Sequence, residues 1–257
     1  VTFNPEPLSS LLESCIEIAD RAGAEIMDIY DRPGVEFTLK DDQSPLTEAD
    51  LAANTVIVPA LKSLTPDIPV VSEESAEKCE GAAIFWLVDP LDGTKEFISR
   101  NGEFTVNIAL IENGVPILGV VGAPALEVCY AGARGIPAKR RAHDGVWQNI
   151  FTCCPKAGRE IIIGSKSHGS AETTDWAAHH FPTATFRGIG SSLKFCLIAE
   201  GLAHIYPRFG RTMEWDTAAG QAVLMAAGGR VTTRDGAPFT YGKPGYENPH
   251  FIAKHSN

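Results

Sequence analysis

The apolar run Ala83-Ile84-Phe85-Trp86-Leu87-Val88 ends directly in Asp89-Pro90-Leu91-Asp92-Gly93-Thr94, so two carboxylates and a hydroxyl leave the end of one strand together. Six apolar residues in succession suit a strand buried on both faces, and that places the strand inside a layered fold. Ligands on such sheets gather at strand ends where chain direction changes. Asp89 and Asp92 offer hard oxygen donors of the kind Mg²⁺ prefers, Pro90 stiffens the turn, and Gly93 lets the backbone approach an anion.

Around this strand the periodicity alternates between helix and strand. Leu8, Leu11, Leu12, Cys15, Ile18, Ala19, Ala22, Ile26 and Ile29 recur at three- and four-residue steps, which predicts an amphipathic helix over 8–31, closed by Pro33-Gly34. A second helix is expected over 47–64, entered through the polar loop 40–45 and carrying Asp50 in its first turn. Ile68-Pro69-Val70-Val71 reads as a short strand delivering Ser72-Glu73-Glu74. Residues 104–111 and 115–121 flank Glu112-Asn113-Gly114, a hairpin signal, and 126–131 can add a further antiparallel strand.

From 132 to 158 the chain turns polar and irregular, which suggests a boundary between two halves of one globule, 1–140 and 141–257, with Lys139-Arg140-Arg141 as a solvated loop. Beyond it come a strand at 161–163, a helix over 191–200, a strand at 203–206 and a helix over 216–227 closed by Gly228-Gly229. The expected class is therefore α/β, with an α+β first half and an α/β second half.

The balance of charge, 22 Lys plus Arg against 32 Asp plus Glu, argues against a surface that tracks the phosphates of a nucleic acid polymer. Small anionic substrates stay compatible with it, provided metal ions neutralise them. Six cysteines at irregular positions, two of them adjacent, form neither a disulfide framework nor a zinc spacing, so reduced thiols and a cytoplasmic location are the expectation. No stretch reads as a signal peptide or a membrane span.

Asp50, Glu73, Asp89, Asp92 and Asp216 stand at element ends rather than on solvated helix faces. Brought together they would hold two or three divalent cations, roughly 3.5 to 4 Å apart, a site that suits phosphate ester hydrolysis. Each has a purely structural alternative. Asp50 can complete a capping box with Thr47, Asp216 can complement a helix N-terminus, Glu73-Glu74 and Asp92-Gly93 can be turns, and Thr94 can be a cap. All of these would have to hold at once for the site to vanish.

In their order along the chain, Asp50, Glu73-Glu74, Asp-Pro-Leu-Asp-Gly-Thr at 89–94 and Trp-Asp-Thr-Ala-Ala-Gly at 215–220 resemble the signature of the inositol monophosphatase superfamily of magnesium-dependent, lithium-sensitive phosphatases. That resemblance implies a layered αβαβα sandwich of the inositol monophosphatase/fructose bisphosphatase type. Within the superfamily, Lys95-Glu96-Phe97-Ile98, Asn101-Gly102-Glu103-Phe104-Thr105-Val106-Asn107, Gly190-Ser191-Ser192-Leu193-Lys194-Phe195-Cys196 and Tyr206-Pro207-Arg208-Phe209-Gly210 are similar to the bacterial 3'(2'),5'-bisphosphate nucleotidases of sulfur assimilation. Thr212-Met213-Glu214 and the 132–158 segment depart from the familiar pattern.

The resemblance implies Glu73, Asp89, the Leu91 carbonyl, Asp92 and Asp216 as ligands of two or three Mg²⁺, and Asp50 with Thr94 as the catalytic pair that orients and deprotonates water. It implies adenosine 3',5'-bisphosphate as the small-molecule substrate, cleaved to AMP and phosphate, with 3'-phosphoadenylyl sulfate as a second candidate. Substrate contacts would come from Glu73, Gly93, Thr94, His168, Ser191, Lys194, Arg208 and Asp216. The structural alternatives are a surface lysine for Lys194 and a loop histidine for His168. Other readings are an inositol or sugar phosphate phosphatase of the same superfamily, or a non-catalytic phosphonucleotide or metal sensor. The resemblance also extends the expected location to the cytoplasmic face of the inner membrane, and it leaves monomer and homodimer both open.

Overall fold

A computed structural model describes residues 5–34, 37–39, 45–75, 79, 81–156, 158–166 and 170–256. His168 and loop residues 40–44 lie outside these described residues. The first half runs α1 (Pro5–Tyr30), β1 (Phe37–Leu39), β2 (Pro45–Thr47), α2 (Glu48–Leu64), β3 (Val70–Ser72), β4 (Ile84–Asp92), α3 (Thr94–Ile98), β5 (Thr105–Glu112) and β6 (Val115–Ala123). It continues through β7 (Val128–Ala133), β8 (Ile136–Arg141) and β9 (Trp147–Asn149). The second half comprises β10 (Ile161–Ser165), α4 (Ala171–His180), β11 (Thr185–Ile189), α5 (Leu193–Ala199), β12 (Ile205–Arg208), α6 (Ala218–Ala226), β13 (Gly229–Thr233) and β14 (Phe251–His255).

Strands β3 to β9 form a seven-stranded sheet in chain order, and the five-stranded sheet is ordered β11-β10-β12-β14-β13. The apolar stripe of α1 and the buried face of α2 pack on one side of the larger sheet, with Trp86, Val88, Ile108 and Val120 beneath them. Its other face, with Phe85, Leu87, Ala109 and Val121, shares a second core with α5, α6 and the smaller sheet. Helix α4 closes the far side through Ala177 against Ile162 and Ile205. The layers thus run α, β, α, β, α. Because β4 lies between two cores, its residues 85–91 are buried without alternation, as the apolar run requires.

The hairpin between β5 and β6 turns at Asn113 and Gly114, both left-handed (φ 51° and 76°), the pairing of residues a two-residue turn favours. The 132–158 segment differs from its expectation, since it carries β8 and β9, which extend the first sheet to Asn149 and place residues 140 and 141 within one strand. Lys139-Arg140-Arg141 is part of β8 rather than a solvated loop. Its side chains alternate across the sheet: Lys139 pairs with Glu13 (2.5 Å) and Arg141 with Asp20 (2.5 Å) on α1, while Arg140 faces the other way to Glu200 beside α5. A charge run therefore obeys strand periodicity because acids wait on both faces. Helix α4 and strand β11 were not anticipated; α4 is short and has little apolar bias, and β11 is an exposed edge strand.

Helix α6 reaches its depth in the central layer by way of small residues. Gly119 on β6 and Gly132 on β7 are cross-strand partners, and the helix rests on both. A Cβ at Gly119 would run into the Ala219 carbonyl and lie 2.7 Å from Ala222 Cβ. Gly119→Ala should therefore destabilise the protein by about 1–3 kcal/mol through overpacking, read as a lower midpoint in urea unfolding. An unchanged midpoint would mean that α6 can lift off the sheet without cost.

Candidate active site

A cavity of about 480 Å³ opens between the two sheets, lined by Pro45, Glu73, Asp89, Leu91–Glu96, Ser165, Ser191, Lys194, Phe195, Tyr206, Arg208, Arg211–Met213 and Trp215–Thr217. Its acidic end is assembled from three places in the chain. Parallel pairing sets Ser72 opposite Val88, so the next residues, Glu73 and Asp89, emerge side by side, and the Glu73 amide donates to the Val88 carbonyl at 3.0 Å.

Asp89 and Asp92 sit three apart, a spacing that in a regular strand sends side chains to opposite faces. The β4–β5 pairing shifts between them: Asp89 faces Asn107 and Asp92 faces Thr105, three steps on one strand against two on the other. The extra residue of this bulge is what brings both carboxylates to the same cavity. Asp216 arrives from the opposite half on a short 3₁₀ turn, Glu214–Asp216, with one carboxylate oxygen accepting from the Met213 amide at 2.8 Å.

Oxygen atoms of Glu73, Asp89 and Asp216 lie within 4.8 Å of one another, a group able to hold a metal ion. Burial, then the charges of Glu73, Asp92 and Asp216, push the Asp89 carboxyl well above its usual range. Asp216 is pushed up by burial and by Asp92 and Glu73. Asp92 rises to about 6 through burial, opposed by the Lys194 ammonium. Like charges held this close in a poorly solvated site repel, and a cation relieves that repulsion. The donors are all carboxylates, and Leu91 lines the same cavity, so the set fits a hard divalent cation.

Asp50 serves two partners at once. One oxygen takes the Thr47 amide (2.8 Å) and hydroxyl (2.6 Å), completing the capping box of α2, and the other accepts from the Thr94 hydroxyl at 3.2 Å. The capping bonds of this residue and its bond to Thr94 thus coexist. Thr94 Oγ1 also lies 3.4 Å from the Leu91 carbonyl. Gly93 has φ 91°, and a Cβ there would sit 3.3 Å from the Glu103 carbonyl, so glycine is required between the metal-site turn and α3.

Ser191, Lys194 and Arg208 line the cavity. Lys194 is buried, its ammonium donating to the Ile189 carbonyl (3.1 Å) and the Ser191 carbonyl, and burial lowers its pKa to about 8. Ser191 is held left-handed at φ 47°. Sequence reasoning missed the polar chain that seats this turn: Thr105 Oγ1 lies 2.8 Å from Ser192 Oγ, Ser192 Oγ donates to Asn107 Oδ1 (2.7 Å), and Asn107 Nδ2 donates to Asp92 (3.4 Å). Asn107 inside the otherwise apolar run 106–111 was the available signal. Glu103, which accepts the Gly190 amide at 2.8 Å, and Arg211 at the rim were missed as well.

Two sheets with carboxylates converging between them at strand ends define a metal-assisted phosphatase architecture, and residues 8–256 match the inositol monophosphatase family. The chain belongs to that family. It is 48% identical, over 94% of its length and 98% of the relative, to the 3'(2'),5'-bisphosphate nucleotidase CysQ of Salmonella typhimurium. Among solved structures it is similar to CysQ from Bacteroides thetaiotaomicron, a bacterial member of the family, at TM-score 0.84 and 38% identity, covering 96% of this chain and 98% of that one. An inositol monophosphatase from Anabaena superposes at TM-score 0.77 and 25% identity, covering 97% and 92% of the two chains. The chain is accordingly a phosphatase of this family.

If the carboxylates are under mutual repulsion, Asp89→Asn should raise the stability of chelator-treated protein by about 1–2 kcal/mol while abolishing stabilisation by divalent cations. The amide keeps an oxygen to accept from the Leu91 amide, a contact of 3.1 Å in the parent. Thermal unfolding with and without cation checks this; a metal-free variant less stable than the parent would show that no strain is stored.

Proposed function

We propose that the protein is a Mg²⁺-dependent nucleotidase that removes the 3'-phosphate of adenosine 3',5'-bisphosphate, giving AMP and inorganic phosphate, with 3'-phosphoadenylyl sulfate as a further substrate. The observation that carries this reading is the 48% identity to a 3'(2'),5'-bisphosphate nucleotidase across 94% of the chain, a span that includes every cavity residue. Glu73, Asp89, Asp92, Asp216 and the Leu91 carbonyl would hold two or three Mg²⁺. Cations bound there would supply charge against the phosphoryl and leaving oxygens and lower the pKa of the attacking water.

The remaining work belongs to the chain's own groups. A water aligned on the phosphorus passes its proton to Thr94 Oγ1 as Thr94 passes its own to Asp50, along the 3.2 Å hydrogen bond already in place. A P–O bond forms to the water oxygen as the P–O3' bond breaks, and the electron pair leaves with the ribose oxygen, which takes a proton from solvent to become the 3'-hydroxyl of AMP. The Gly93 and Thr94 amides face the phosphoryl oxygens, and Ser191, Lys194 and Arg208 bind the nucleotide, together with His168.

All six cysteines are free thiols, in keeping with a reducing cytoplasm. No described helix is long and apolar enough to cross a membrane. The apolar stripe of α1 is spent on the core, so it offers no anchor for the membrane face.

Phosphate release from adenosine 3',5'-bisphosphate should far exceed release from inositol 1-phosphate at equal enzyme and Mg²⁺, and Ca²⁺ in place of Mg²⁺ should not support turnover. Preference for the inositol ester would replace this reading with that of an inositol phosphatase; no release from either would favour a sensor. Thr94→Val should lower kcat about 10²–10⁴-fold with KM little changed, and Thr94→Ser should recover most of it.

A further inference from the structure

The cationic wall of the cavity depends on the turn 190–192, which joins β11 to α5. Ser191, which lines the cavity, stands there at φ 47°, a left-handed conformation that a residue with a side chain keeps only where its surroundings impose it. Lys194 holds the turn from the α5 side through the carbonyls of Ile189 and Ser191. The hold on its other side comes from the first half of the chain.

Every second residue from Glu103 to Asn107 reaches this turn. Thr105 and Asn107 meet the Ser192 hydroxyl, and Glu103 Oε2 accepts the buried Gly190 amide at 2.8 Å. The other oxygen, Oε1, lies 3.4 Å from the Lys166 ammonium. Lys166 and Gly190 each follow the last residue of a parallel strand, β10 and β11, so one carboxylate spans the carboxyl ends of both, where sheets of this kind present their ligands. The two contacts differ in weight. The Lys166 pair is long and the lysine is 45% exposed, so it adds little, whereas a buried amide left without an acceptor is costly.

Glu103 is itself held in place. Its amide donates to Asn101 Oδ1 at 2.9 Å, and its carbonyl is packed between glycines of the two walls: a Cβ at Gly190 would fall 2.6 Å from that oxygen and one at Gly93 3.3 Å. Gly93 and Ser191 line the cavity, whereas Glu103 does not. Its influence on a bound molecule therefore passes through the turn that it holds.

Resting on the nucleotidase reading, we propose that Glu103 is a positioning residue for the nucleotide: by accepting the Gly190 amide it keeps Ser191 in its left-handed turn and fixes the cationic wall relative to the Gly93 turn. The role demands reach of the side chain rather than charge.

Steady-state kinetics on adenosine 3',5'-bisphosphate, run beside urea unfolding, test this with variants that separate reach from charge. Glu103→Ala should raise KM about 10-fold and change kcat less than about 3-fold, because the acidic end and the Thr94–Asp50 pair are untouched. Glu103→Asp keeps the charge and loses a methylene of reach, and it should raise KM about 3–10-fold. Glu103→Gln keeps an oxygen for the Gly190 amide and loses the charge, and it should leave KM within about 2-fold of the wild type, as should Lys166→Ala. Should the alanine variant fail to fold, the contrast between Glu103→Asp and Glu103→Gln decides. A wild-type KM in Glu103→Asp with a raised one in Glu103→Gln would overturn the assignment, and so would a lower urea midpoint or a lower kcat in Glu103→Ala with KM unaltered; the nucleotidase reading would stand in each case. A wild type that releases no phosphate from the bisphosphate would overturn both.

Discussion

Mutual repulsion among buried carboxylates is the constraint around which the rest of the structure is arranged. Bringing Glu73, Asp89 and Asp216 within 4.8 Å, with Asp92 beside them, opposes folding in the absence of a cation. The opposition is met by backbone geometry that leaves the side chains little choice. Parallel register fixes Glu73 beside Asp89, the β4 bulge turns Asp92 to the same side, and the Met213 amide fastens Asp216. Holding ligands in place before a cation arrives is the usual trade of stability for function at such sites.

Asp216 enters from the other half of the chain, so its placement depends on the packing between halves. Two features secure it. The glycine pair on β6 and β7 lets α6 settle onto the first sheet, and the fully buried Glu214 carboxylate accepts the amides of Gly242 (2.7 Å) and Lys243 (3.0 Å). The same strap continues to Tyr246, whose hydroxyl takes the Cys79 amide at 2.9 Å, and to Asn248, which grips Met213. One segment of the C-terminal half thus reaches both Cys79, six residues after Glu73, and Met213, three before Asp216. Glu214 is the buried charge that makes the strap's two amides worth ordering, since an unpaired carboxylate there would be costly.

The strands, the long helices and the acid positions were legible in the sequence because each rests on local pattern: the apolar run of β4, the helical stripe of α1, Asn113-Gly114 at the hairpin. What escaped was set by tertiary context. Lys139-Arg140-Arg141 looks like a loop until Glu13, Asp20 and Glu200 are known to lie on the two sides of β8. Strand β11 is an edge strand whose exposed residues carry no alternation, and α4 buries only Thr173 and Ala177. The bulge that gives Asp89 and Asp92 a common direction has no signature beyond Pro90, although it decides whether the motif can act as one site.

The cavity divides its tasks between the two sheets. Glu73, Asp89, Asp92 and Thr94, with Asp50 behind Thr94, come from the first half and make the acidic end, whereas Ser191, Lys194, Arg208 and Arg211 come from the second and make the cationic wall. Among the described residues that line the cavity, Asp216 is the one acid that comes from the second half, and it sits only eight residues after Arg208 on a continuous path. Cation binding to that cluster would therefore fix the spacing between the two ends as well as neutralise one of them. In the reading proposed here, a substrate whose two phosphates match that spacing gains from both walls, and one with a single phosphate gains from the first alone. The two walls meet at the Ser191 turn, where the Gly190 amide donates to Glu103 and Ser192 Oγ donates to Asn107, so the position of the cationic wall is tied through that turn to the strand that faces Asp89 and Asp92.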